Sequence, residues 1–104
     1  MAITVQIRDR AARVTMTGRF EFQVHRDFND AYMPLLDSAA VREIEIELSK
    51  VDYLDSAALG MLMLLNERAK EANKPIVLLD VSNVVSQVLQ VANFSKIFNI
   101  KRSS

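Results

Sequence analysis

The chain has 104 residues, enough for one domain and too few for a second. Half of its residues are apolar and a quarter are charged, the composition of a folded chain rather than a disordered one. Thirteen Lys and Arg balance thirteen Asp and Glu and there is no cysteine. No net charge therefore draws it to nucleic acid or an anionic membrane, and disulfides and thiolate metal sites are excluded.

Ile3, Val5 and Ile7 alternate with Thr4, Gln6 and Arg8, the period of a half-buried strand. Asp9-Arg10-Ala11-Ala12 reads as a short connection. Val14 and Met16 then alternate with Thr15 and Thr17 up to Gly18, which predicts a second strand and a hairpin. Val24, Phe28, Ala31 and Leu35 repeat at helical spacing with Tyr32 and Leu36 alongside. Pro34 falls inside this pattern and should kink the helix or end its regular part. Next, Ile44, Ile46 and Leu48 alternate with Glu43, Glu45 and Glu47. The glutamate side of that strand should face water, because isolated buried carboxylates are costly. Val51 to Leu54 leads into Asp55-Ser56, where a helix begins that runs to about Asn73. Ile76-Val77-Leu78-Leu79 is a continuous apolar run, as expected for a central parallel strand. Ser82 or Asn83 is placed to cap a helix carrying Val85, Val88, Leu89 and Ala92, and Ile97 to Ile100 reads as a last short strand.

The order β-β-α-β-α-β-α-β predicts an α/β fold with a mostly parallel sheet, right-handed crossovers and helices mainly on one face. The densest apolar stretch, Ala57 to Leu65, is too short to span a bilayer and is interrupted by Gly60. The N-terminus lacks the layout of a signal peptide, so a cytoplasmic location is expected.

Catalytic material is sparse. His25 is the only histidine, and near the start of the first predicted helix it reads as a solvated or capping residue instead of a general base. No Cys-His pair, Gly-rich phosphate loop or His-Glu metal pattern is present. No catalytic residue, metal ligand or cofactor is assigned, and an enzyme is not expected.

The distinctive segment is Asp55-Ser56-Ala57-Ala58-Leu59-Gly60. Either Asp55 or Ser56 can accept hydrogen bonds from the free N–H groups of the first helical turn. Alternatively, Ser56 lies exposed at the positive end of the helix dipole, where a phosphate would be stabilised. On the helical wheel Ala58, Leu62, Leu65, Ala69 and Ala72 form a core stripe, Met61 and Leu64 flank one side, and Leu59 and Met63 flank the other. Glu67, Lys70 and Glu71 mark the wet face. The wide apolar arc has two readings: burial inside the domain, or a partly exposed docking patch beside Ser56.

With these residues in place, the chain resembles the STAS domain of bacterial anti-sigma factor antagonists. The resemblance rests on the element order, on Asp55-Ser56 and Leu59-Gly60, on Gly18 ending the second strand, and on Asp80-Val81-Ser82 followed by Val84 to Ile97. It implies a single STAS domain over residues 1–104, with a STAS-like, mixed and mostly parallel sheet. It further implies phosphorylation at Ser56, with Asp55 and Glu21 as acidic residues supporting that site and Ala57, Leu59, Met61 and Leu64 as partner-binding positions. The implied partners are an anti-sigma factor or serine kinase and a PP2C-type phosphatase, or a response regulator with such an output, with neither nucleic acid nor membrane. The unphosphorylated form would bind the anti-sigma factor or kinase, and phosphorylation would release it. A non-switching STAS subunit or scaffold of a transporter or signalling complex is the alternative. Relatives often carry Ser or Thr and then Gly where this chain has Ala57 and Ala58, which leaves Ser56 the one acceptor in the motif and stiffens the first turn. With little chain after Ile100, the C-terminal helix of many relatives is expected to be absent or vestigial.

Overall fold

The alternating residues that begin the chain form two antiparallel strands, β1 (Ala2–Arg8) and β2 (Ala11–Phe20), in the computed structural model, which describes residues 1–103. Only Asp9 and Arg10 separate them. Both have positive φ, 53° and 67°, the left-handed pair that a two-residue hairpin turn requires. The connection is thus shorter than the Asp9–Ala12 stretch predicted, because Ala11 and Ala12 already pair with Arg8 and Ile7. Nor does β2 stop at Gly18. It continues to Phe20 through two register shifts against the next strand, and Gly18 adopts a φ of +109°, a conformation open to glycine and strained for other residues. Such bulges bend a strand, and this one delivers Phe20 beside Leu54.

A single 3-10 turn at Phe22–Val24 leads into α1 (His25–Asp37). Phe28, Tyr32 and Leu35 form its buried stripe. Pro34 does not end the helix. Proline removes the N–H that would bond the Asp30 carbonyl, but Asp30 and Pro34 are both exposed, so water can serve that acceptor. The far end of α1 is closed from outside, where Lys74 Nζ donates to the carbonyls of Leu35 and Ser38, each at 2.7 Å.

There follow β3 (Glu43–Leu54), α2 (Ser56–Glu71), β4 (Ile76–Leu79), α3 (Asn83–Val91) and β5 (Asn99–Lys101). The strands lie in the order β1-β2-β3-β4-β5, and every pair after the first is parallel. The α/β architecture expected from the sequence is therefore the observed one. Val51–Leu54, predicted as a lead-in, is the end of the long β3 strand. The last strand is shifted: β5 starts at Asn99, while Phe98 packs in the core. Asp80 secures β5, since its N–H donates to the Lys101 carbonyl at 2.9 Å and its carboxylate accepts the Ser103 N–H at 2.8 Å. That backbone donor holds the Asp80 carboxyl below the usual carboxylate range.

Ala12, Val14 and Met16 of β2 and Ile44, Ile46 and Leu48 of β3 are fully buried. They share one cluster with Ile76 and Leu78 and with Phe28, Tyr32, Leu62, Leu65, Val85 and Leu89 of the three helices. The helices thus cover that face of the sheet. On the opposite face Glu45 pairs with Arg13 at 3.1 Å, and Glu47 accepts from Thr15 at 3.2 Å and Ser49 at 2.8 Å. Those glutamates are half-buried, held by cross-strand bonds to Arg13 and Thr15 and by Ser49 of the same strand, instead of standing free in water. β1 departs from its expected half-burial. Ile3, Val5 and Ile7 pair with Met16, Val14 and Ala12 and so share their face, yet Val5 is 39% and Ile7 52% exposed at the sheet's edge.

Lys74→Met should remove the clip on α1 and cost about 1.5–3 kcal/mol, measured as a lowered urea midpoint at constant slope. An unchanged midpoint would mean that water replaces the ammonium without loss.

Candidate functional site

β3 ends at Leu54 and α2 begins at Ser56, so Asp55 alone makes the junction. Its backbone is extended, with φ −95° and ψ 176°, the geometry of a residue preceding a helix. Its Oδ1 accepts the Ala58 N–H at 2.8 Å, and its Oδ2 accepts the Phe22 N–H at 3.2 Å. Its own N–H donates to the Phe20 carbonyl at 3.3 Å. A single carboxylate therefore closes the first turn of α2 and fastens the β2–α1 connection to it. The sequence left the cap open between Asp55 and Ser56; the structure gives it to Asp55.

Ser56 is free of that duty. It is the first residue of α2 and is exposed. The Ala58 and Leu59 amides are held by the side chain and carbonyl of Asp55. The Ser56 and Ala57 amides belong to the part of the turn that has no intrahelical acceptor. An anion on the Ser56 hydroxyl would therefore sit at the positive end of the helix dipole, with two amide donors close by.

Beside this residue a groove of about 330 Å³ runs between the N-terminal halves of α1 and α2. Ala57, Met61 and Leu64 line it from α2, His25, Phe28, Asn29 and Tyr32 from α1, and Phe22 from the connection between β2 and α1. Phe22 is 60% exposed, and its ring stacks on His25 with centroids 4.5 Å apart and planes 13° from parallel. The His25 Nδ1–H donates to the Phe22 carbonyl at 2.8 Å, which fixes the pair as one unit. Arg68 ties the two helices together, donating to Tyr32 Oη at 2.8 Å and to Asn29 Oδ1 at 3.1 Å.

Of the four positions expected to meet a partner, the structure brings Ala57, Met61 and Leu64 into this groove. Leu64 is 43% exposed, whereas Met61 is half-buried against the core. Leu59 lies on the other flank of α2, in a separate apolar groove with Val88 and Val91 of α3 and Ala92 just after it. Glu21 accepts the Arg19 Nε–H at 3.3 Å, and the Arg19 guanidinium lies 3.9 Å from the centroid of the Tyr53 ring. Its connection to the site is through the chain, since the N–H of the following residue, Phe22, reaches Asp55. Sequence reasoning missed Phe22 and His25 as groove residues. Their one-turn spacing was the available signal, but an apolar residue between strand and helix reads as core. Among the described residues, no group of His, Asp and Glu is arranged to hold a metal ion, and no helix is long and apolar enough to cross a membrane.

Asp55→Ala should remove both the cap and the tether of Phe22, costing about 1–2 kcal/mol. Ser56→Ala should change stability by no more than about 0.5 kcal/mol. Urea denaturation of the two variants checks this, and equal losses would show that Ser56 shares the capping.

A family model described as Mlab, STAS domain, matches residues 3–100. A STAS-domain containing protein of Pseudomonas aeruginosa (strain UCBPP-PA14) is 39% identical over 87 residues, covering 84% of this chain and 84% of that protein. Among solved structures, a putative anti-sigma factor antagonist from Thermotoga maritima superposes with a TM-score of 0.85 at 19% identity, over 95% of this chain and 85% of that one. The Bacillus cell fate determinant SpoIIAA in its phosphorylated form gives a TM-score of 0.73 at 14% identity, over 99% and 92% of the two chains. At those identities the solved structures establish a common fold. The match over residues 3–100 and the Pseudomonas relative establish more: this chain belongs to the STAS-domain family.

Proposed function

We propose that this chain is a phosphorylation-gated anti-sigma factor antagonist, a binding module and not an enzyme, whose switch is Ser56. One observation carries the proposal. Asp55 takes the helix cap, which leaves the Ser56 hydroxyl exposed at the helix N-terminus and next to an apolar groove. The phosphorylated SpoIIAA structure, which shares this fold, supports the same assignment.

In the unmodified protein the groove presents apolar and aromatic surface from Phe22, Met61 and Leu64 to an anti-sigma factor or serine kinase. Phosphorylation adds roughly 1.5 to 2 negative charges at its rim. Apolar partner side chains would then have to dock beside a strongly hydrated group, and desolvating it is costly. The phosphate also repels the adjacent Asp55 carboxylate. That carboxylate holds the Phe22 N–H, so the repulsion acts on the groove wall as well as on the surface charge. A PP2C-type phosphatase, or a response regulator carrying such an output, would restore the binding form.

Binding of these variants to the cognate anti-sigma factor or kinase tests the switch. Ser56→Asp and Ser56→Glu should weaken binding about tenfold or more, ~1.4 kcal/mol, while Ser56→Ala binds like the unmodified protein and resists release by the kinase. Equal affinities across the three would make Ser56 a plain first-turn residue, as in a non-switching STAS subunit.

The groove itself is tested separately. Leu64→Glu should lower partner affinity while leaving the thermal midpoint close to wild type, because Leu64 already meets solvent. Met61→Glu should also cost stability, because Met61 packs on the core. Undiminished binding by a folded Leu64→Glu variant would place the partner elsewhere.

A further inference from the structure

The outer edge of β1 lacks most of the features that usually keep a strand from pairing with another chain. It is seven residues long, contains neither proline nor glycine, and pairs with β2 without a register shift. Its one charge, Arg8, is at the very end. Edge strands are commonly shielded by a bulge, a proline, a central lysine or a covering helix. Here α1 packs against β1, yet the side chains of Val5 and Ile7 stay exposed on that face.

The order of residues along this edge is also self-complementary. Ile3-Thr4-Val5-Gln6-Ile7 has the same polarity pattern in both directions about Val5, which a two-fold interface requires. Antiparallel pairing about Val5 sets Ile3 opposite Ile7 of the second copy, Thr4 opposite Gln6, and Val5 opposite Val5. Arg8 then faces Ala2, so no like charges meet. This register uses all seven residues. Moving the axis by one residue leaves only five paired, and a register that placed apolar against polar residues would turn side chains to opposite faces.

We propose that β1 is a homodimerisation edge, joining two copies of this chain into a continuous ten-stranded sheet with Val5 on the two-fold axis. The occupant is a second copy because the polarity pattern of residues 3–7 matches itself about Val5. The outward N–H and C=O groups of β1 complete their ladder, and the exposed Val5 and Ile7 side chains are covered by their counterparts. One strand pair with six aliphatic side chains falls at the small end of specific interfaces, so association is expected with a Kd of about micromolar order. The proposal is independent of the Ser56 switch, and the dimer would carry two such sites.

Sedimentation equilibrium of the full chain across the micromolar range tests it. The wild type should pass from single to doubled mass as concentration rises. Val5→Lys and Val5→Glu should each stay at single mass, because like charges then meet on the axis, and an equimolar mixture of the two should regain the doubled mass. Wild type at single mass throughout would overturn the proposal, as would dimers that persist in both charged variants or a mixture of folded variants that fails to associate. Hydrogen exchange of the wild type gives a reading that needs no substitution. The outward amides of β1 should exchange more slowly at higher concentration, and exchange independent of concentration would equally overturn it.

Discussion

The Asp55 carboxylate is the constraint on which the site depends. Its two oxygens accept from amides far apart in sequence, Ala58 in the first turn of α2 and Phe22 in the connection before α1. The first bond sets where α2 begins. The second sets where α1 begins relative to it, and so fixes the width of the groove between them. A glutamate would place the carboxylate one methylene further from the backbone, and an asparagine would keep the shape with weaker, uncharged acceptors. Only with the cap supplied by its neighbour can Ser56 leave its hydroxyl in solvent.

The remainder of the fold serves this corner. The bulges around Gly18 bend the end of β2 so that Phe20 and Phe22 come within reach of Asp55. Arg68 and Lys74 hold α1 from the side of α2 and the loop after it. Ser82 does the same for α3, donating to the Val51 carbonyl at 2.8 Å while capping its own helix through the Val85 N–H. The helices are therefore anchored by a few polar clips in addition to their apolar stripes. A charge added at Ser56 would act on a corner held by these clips, with the Asp55–Phe22 bond nearest to it.

Much of the fold was legible in the sequence because its signals were strong and local. The alternation in β2 and β3, the apolar run of β4 and the wheel of α2 each specify an element and the face it buries. What was not legible depended on tertiary surroundings. The burial of β1 could not be read from Ile3, Val5 and Ile7, since their period is the same whether or not a helix covers them. Pro34 looked like a kink or the end of the regular helix, but the exposure of Asp30, whose carbonyl loses its donor, makes the missing bond tolerable. Gly18 looked like a strand end and is instead a bulge, which only the partner strand reveals. At the site, the Asp-Ser pair was visible while the division of labour was not. That division follows from the second bond of Asp55, to a residue in the chain before α1. The separation of Leu59 from Ala57, Met61 and Leu64 was implicit in the wheel, but which flank faces a groove beside Ser56 required the position of α1.

Everything proposed for the groove depends on the exposed Ser56 hydroxyl being a site of reversible phosphorylation. Intact-mass analysis of the protein isolated from its native cells, before and after treatment with a serine phosphatase and followed by fragment mapping, tests it most directly. A single phosphate, removed by the phosphatase and mapped to Ser56, is the expected result. A protein that carries no phosphate under any growth condition, or carries it on another residue, would contradict it.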